Sequence, residues 1–240
     1  LGLLLFFILG AFASLKSKEQ RLYIVIATTI VISFTAAFYN LGVPTETLFA
    51  VYSEWLHLIV RWVHIIVGVA WIGTSFYFNW LDSRLERDDP DFKHLDGYLW
   101  SVHSGGFYRI EKLKGPPKKL PKVLHWFKWE AYATWISGFV LLILVYYLNA
   151  SSMMLGASGI ILTPFQAILI SIFLLIGSWL LYDYLCKNVL KDNEQTLIAT
   201  GVLLFVLLSY FLTQIYGSRA AYIHVGAIIG TIMAANVFRV

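Results

Sequence analysis

The stretch EWLHLIVRWVHIIVGVAWIG, residues 54–73, decides how the rest of the chain is read. It is apolar enough to enter a bilayer, yet it carries Glu54, His57, Arg61 and His64. The steps from 54 to 57, 61 and 64 are the threes and fours that align side chains on one face of a helix, and Gly68, Trp71 and Ser75 continue that face. Ionisable groups inside a bilayer are costly, and they normally turn toward the protein interior and a functional partner. For His57 and Glu54, near one end of the run, snorkelling to the interface is an equally good explanation.

Composition places this stretch in an integral membrane protein. Of the 240 residues, 59% are hydrophobic and 13% charged, against roughly 25% charged in soluble domains. A spanning helix needs ~20 apolar residues. Seven segments qualify: 1–15 (partial), 21–41, 56–81, 130–149, 163–186, 196–216 and 220–238. The expected architecture is an all-α bundle of about seven transmembrane helices, one domain over 1–240, with a single long cytoplasmic loop at 82–129. Leu1 opens inside an apolar run and Val240 closes just after one, so the sequence reads as trimmed at both ends. Thr163-Pro164 suits an N-cap followed by proline, and Asp192 or Asn193 suits the cap of the next helix. Cys186 is the single cysteine, which excludes an internal disulfide, a cysteine-framed metal site and a C-x-x-C-H haem attachment within these residues.

Lysine and arginine set the orientation. Sixteen of the eighteen fall at 16–21, 82–129, 187–195 and the C-terminal end, leaving only Arg61 and Arg219 on the other side. The basic side is expected to be cytoplasmic, with lipid rather than nucleic acid as the surrounding partner. Within the loop, 82–100 is net acidic, whereas 101–128 carries seven basic residues against Glu111 alone. A basic aromatic segment beside a bilayer suits anionic headgroups. HSGGFYR at 103–109 differs, because paired glycines permit a close backbone approach.

His64 has a candidate mate. It stands ~8 Å below the outer boundary at 1.5 Å per residue, and His224 on the last span is expected at a similar depth. Two neutral imidazoles on two helices suit a six-coordinate b-type haem. Arg61, one turn above His64, would meet a propionate, His57 and Glu54 would line the outer mouth, and Trp71 would flank the macrocycle. Gly68, Ala70, Gly226, Ala227 and Gly230 leave room for a porphyrin and equally suit close helix packing.

RWVHIIVGVAWIGTSFYFNWLD (61–82), HSGGFYRIEKLKGPPKKLPKVLHWFKWEAYATWISGFVLLILVYYLNA (103–150) and AANVF (234–238) resemble the membrane domain of bacterial urate hydroxylases, the urate oxidase N-terminal domain family. The resemblance covers most of the chain. It implies a multi-pass enzyme of purine catabolism, in a bacterial inner membrane, that oxidises urate to 5-hydroxyisourate and passes electrons to a periplasmic C-terminal cytochrome c, with a terminal oxidase as a further partner. These 240 residues contain no C-x-x-C-H. Haem c would therefore belong to a following domain or a partner subunit, or this homologue does something else.

A urate site needs cationic or N–H donors, a flat aromatic surface and a base. In the matched segment Gly105 and Gly106 could offer backbone N–H groups, Arg109 could pair the anion, Phe107 or Tyr108 could stack, and His103 or His125 could take protons. Trp126 and Trp129 suit an interfacial girdle, and Glu130 suits a helix N-terminus. This site would be cytoplasmic, most of a bilayer away from the expected haem. Two other functional classes fit the same composition: a haem-binding electron-transfer or anchoring subunit with no substrate of its own, and a transporter. The transporter would need interrupted helices or a repeat at mid-membrane, and the sequence has no internal repeat.

Overall fold

The computed structural model describes residues 18–87, 93–156, 160–189 and 193–238. Its elements are α1 (Lys18–Asn40), α2 (Thr45–Arg84), a hairpin of β1 (Leu95–His103) and β2 (Gly106–Leu113), α3 (Trp129–Leu141), the short α4 (Ala150–Met153), α5 (Pro164–Tyr184), α6 (Glu194–Ile215) and α7 (Ser218–Phe238). Helix α3 continues as a π-helical stretch over Leu142–Tyr147, and α5 as one over Leu185–Val189. Six of these helices are long and apolar enough to cross a membrane, as in a multi-pass membrane protein. They correspond to six of the seven expected spans; the first, 1–15, lies outside the described residues. Ile65, Val69, Ile72 and Phe76 on α2 and Phe173 on α5 stand exposed. Apolar surface on this scale is what lipid, rather than water, would cover.

By its internal contacts the chain divides into two units, the division falling between Leu58 and Ile59 within α2. In the first, α1 ends in a hydrogen-bonded turn, with Gly42 N–H donating to Tyr39 and Val43 N–H to Phe38. The following stretch of α2 returns along it, and the Thr35 and Tyr52 hydroxyls share a hydrogen bond of 2.5 Å.

Helix α2 is longer than the span expected over 56–81. It has 40 residues, about 60 Å at 1.5 Å per residue, roughly twice a hydrocarbon core. Nothing between Pro44 and Arg84 breaks a helix, and Glu46 in the first turn suits the positive end of its dipole.

In the second unit α7 is the central helix, packed against α3, α5 and α6. Ala220 and Ala221 are fully covered and let its neighbours approach, around a core of Tyr146, Met154, Leu212, Ile215, Tyr216 and Ile228. Trp135 Nε1 donates to Thr231 Oγ1 at 3.1 Å and fixes α3 against α7. Two expected caps are present. Thr163 forms a complete capping box with Gln166, and Asn193 Oδ1 accepts from Thr196 N–H.

The segment expected as one long loop contains the β1–β2 hairpin instead. Its pairing runs from Leu95↔Leu113 to His103↔Gly106, around a two-residue turn of Ser104 and Gly105. Both turn residues have positive φ, 50° and 78°; this is the left-handed turn that matches strand twist and for which glycine is best suited. Four side chains tie the hairpin base to the end of α2. Arg87 reaches Asp96 at 3.0 Å and Asp82 at 3.7 Å, while Lys112 contacts Asp82 and, at 3.3 Å, Asp96. The Lys112 and Arg87 hydrogen bonds hold the Asp96 carboxyl below its ordinary range. The Asp82 and Asp96 carboxylates hold Lys112 above its own.

Candidate functional site

The packed face of α2 beyond Leu58 is set by Val60, His64, Val67, Gly68, Trp71 and Thr74, all partly buried at helical spacing, while Arg61 and Ser75 are exposed at its margins. His64 turns toward α3. Its Nδ1 lies 3.0 Å from Ser137 Oγ. Ser137 has one proton and two backbone carbonyls within reach, that of Ala133 at 2.7 Å and that of Thr134 at 3.1 Å. With that proton on the backbone, Ser137 accepts from the ring, which assigns the His64 proton to Nδ1 and the lone pair to Nε2. A Cβ on Gly138 would stand 2.9 Å from His64 Cε1. The glycine makes room for the imidazole.

His224 is held the same way. It is 1% exposed, and its Nδ1 lies 2.7 Å from the carbonyl oxygen of Ala220. A carbonyl only accepts, so Nδ1 is again the protonated nitrogen. Nε2 is buried and has no hydrogen-bond partner. The ring sits between two tyrosines, 4.7 Å from the Tyr216 centroid and 6.0 Å from that of Tyr146. Tyr146 belongs to the π-helical stretch, a form that recurs at functional sites. Tyr147, next along, shares a 2.6 Å hydrogen bond with Ser171.

Two imidazoles with Nδ1–H donated and Nε2 bare are the form in which histidine ligates a metal, the donated bond fixing tautomer and ring direction. Their levels differ from the equal depth expected. His64 meets α3 at Ser137 and Gly138, whereas His224 meets it at Tyr146. Those contact positions are about 12 Å apart along the helix at ~1.5 Å per residue. The donor chemistry of each residue fits a haem iron. Among the described residues no group of three or more His, Cys, Asp or Glu side chains is gathered as a metal centre.

The hairpin divides its expected substrate residues between two faces. Strand alternation puts His103 and Tyr108 on one face of the hairpin and Arg109 on the other. Arg109 is engaged by Glu111 at 3.1 Å and lies over Tyr98 and Trp100, at 4.9 and 5.9 Å from their ring centroids. Gly105 and Gly106 serve the turn, and Phe107 beside them is exposed. His125 stands just before α3, its Nε2 3.6 Å from Glu130 Oε1 and its ring 4.6 Å from Phe127. Glu54 is exposed and His57 partly buried, both in the unit that ends at Leu58. Ser137, Gly138, Tyr146 and Tyr216 were not visible as site residues in the sequence. Ser137, a polar residue in an apolar span, was the one available signal.

The urate oxidase N-terminal family profile matches residues 50–240, which contain α2 from its second turn onward, the hairpin and the histidine pair. The chain belongs to the urate oxidase N-terminal family. No curated protein and no solved structure matches it. Family membership gives an oxidoreductase lineage to the helical unit around His64 and His224.

Proposed function

We propose that this chain is the membrane part of a urate-oxidising dehydrogenase in a bacterial inner membrane. Urate takes a hydroxyl group from water to become 5-hydroxyisourate, releasing two protons and two electrons. The electrons go to a cytochrome c domain or subunit on the periplasmic side, and beyond it to a terminal oxidase. The family match over 50–240 carries this reading, and the two locked histidines support it. A b-type haem held by His224 and His64 would supply single-electron steps between substrate and acceptor.

The chain's own residues do the rest. Ala220 and Ser137 accept the Nδ1 protons and so keep both Nε2 lone pairs available. Tyr146 and Tyr216 exclude water from His224 and set its ring plane. The basic residues flanking α3 and α5, lying on one side, keep the hairpin cytoplasmic.

A second reading has a specific observation in its favour. His103 and Tyr108 lie on the hairpin face opposite Arg109, and Arg109 is engaged by Glu111, as suits an electron-transfer or anchoring subunit with no substrate of its own. The test is anaerobic turnover with added cytochrome c. The first reading predicts one 5-hydroxyisourate for every two cytochromes reduced. A b-type haem reducible by other donors but never by urate would favour the second. No haem and no turnover would refute both.

A further inference from the structure

Residues 114–128, between β2 and α3, hold five lysines and no acidic residue. Among the described residues none of the five has an acidic partner within ion-pair distance. The carboxylates before the segment are engaged elsewhere, Asp82 and Asp96 by Arg87 and Lys112, and Glu111 by Arg109. Large apolar side chains are interleaved with the lysines and stand exposed: Leu120, Val123, Leu124, Trp126 and Phe127, with Val123 at 90%. Lys128 lies over the Trp126 ring, 4.7 Å from its centroid. A segment that is cationic and also exposes its apolar side chains suits the headgroup region of a bilayer, where charge and hydrocarbon meet.

Its level is set by its neighbours. Helix α3 with its π-helical stretch, Trp129–Tyr147, has 19 residues, about 28 Å at 1.5 Å per residue and barely a hydrocarbon core. To cross a bilayer it must begin at the boundary, which puts Lys128 at headgroup depth. Phe127 packs edge-on against Phe78 of α2, with ring centroids 5.0 Å apart. One turn further along α2, Asp82 holds Lys112, just before the segment. Both ends are thus pinned to adjacent turns of α2, and Pro116, Pro117 and Pro121 stiffen the chain between them. We infer that residues 114–128 are a platform for the anionic phospholipid headgroups of the leaflet on the basic side. The lysines meet the phosphates, and Leu120, Val123, Leu124 and Trp126 enter between the headgroups. The inference is independent of the reaction the chain performs.

The test reconstitutes the full chain in phosphatidylcholine vesicles carrying a trace of spin-labelled phosphatidylglycerol or spin-labelled phosphatidylcholine. The motionally restricted part of the electron spin resonance spectrum gives the preference of the protein for one lipid over the other. A lysine at an anionic surface favours it by about fivefold, so wild type prefers phosphatidylglycerol by roughly that factor, and less at high salt. Replacing Lys114, Lys118, Lys119, Lys122 and Lys128 together by Gln brings the ratio close to one, whereas replacing them by Arg keeps it. Phe127→Ala alters no charge but frees one pinned end, and it lowers the ratio part of the way. Lys18→Gln with Lys187→Gln, cations outside the segment, leaves it unchanged. Helix content and elution profile serve as controls for folding. A wild type that does not distinguish the two lipids at low salt overturns the inference. So does a preference that survives loss of the five lysines, or one that falls equally with Lys18 and Lys187.

Discussion

Ser137→Ala is the most informative single substitution. The serine is 6% exposed and takes the His64 Nδ1 proton at 3.0 Å, while its own proton goes to the α3 backbone. Removing the oxygen leaves a partly buried N–H without its acceptor, a cost of ~1–3 kcal/mol. At ~1.4 kcal/mol per factor of ten, this is a roughly 5- to 150-fold loss in preference for the held ring over its alternatives. It agrees with the ~10- to 100-fold loss of metal affinity that follows removal of a ligand's supporting hydrogen bond. The assay is 15N NMR of histidine-labelled protein, followed by haem titration. In wild type His64 Nδ1 is protonated and Nε2 bare; in Ser137→Ala the tautomers mix and haem affinity falls within that range. Ser137→Thr, which keeps the hydroxyl, restores the wild-type pattern. Wild-type His64 protonated at Nε2, or a tautomer indifferent to Ser137→Ala, would refute the reasoning.

Further substitutions test neighbouring parts of the account. Gly138→Ala puts a methyl 2.9 Å from His64 Cε1, so the ring swings off Ser137 and the Nδ1 resonance shifts even though the hydroxyl remains. His224→Ala removes the buried ligand and the b-type spectrum with it, and His64→Ala removes the second ligand and leaves a five-coordinate spectrum. Thr163→Ala removes half of the capping box on α5 and costs ~1 kcal/mol, read from denaturant unfolding. The hairpin anchor has a defined pH window. Asp96 is held below its ordinary value of 3.8, so its contribution is present above that pH and lost as pH falls through the lowered value. Lys112 is raised above 10.5, so its contribution is present below that pH and lost as pH rises through the raised value. Hydrogen exchange at the Glu86–Tyr98 bridge should stay slow between those limits and quicken outside them; exchange indifferent to Lys112→Ala would count against the anchor.

Much of the fold was legible because apolar runs near 20 residues and their caps are local signals. Thr163-Pro164 and Asn193 marked helix starts that the structure has. The hairpin was equally local and was read otherwise. LDGYLWSVH and GFYRIEKL flank a Ser-Gly pair, a pattern of strand, tight turn and strand. The paired glycines drew attention to ligand approach when Gly105 is needed for a positive φ. His64 and His224 stood out as ionisable residues in apolar spans, but their levels were not legible. Depth counted from a guessed boundary misses where each helix starts, and α2 begins eleven residues before the expected span. Ser137, Gly138 and Tyr146 become site residues only through packing of α3 on its neighbours. The π-helical turn that presents Tyr146 to His224 has no sequence signature.

The central claim is that urate gives its electrons to a redox centre in this membrane unit. The direct measurement is an anaerobic optical spectrum of the purified protein in its oxidised state, before and after urate is added. The account predicts a b-type reduced band that rises with urate and is lost in His224→Ala. An oxidised b-type haem that dithionite reduces but urate leaves unchanged would contradict it.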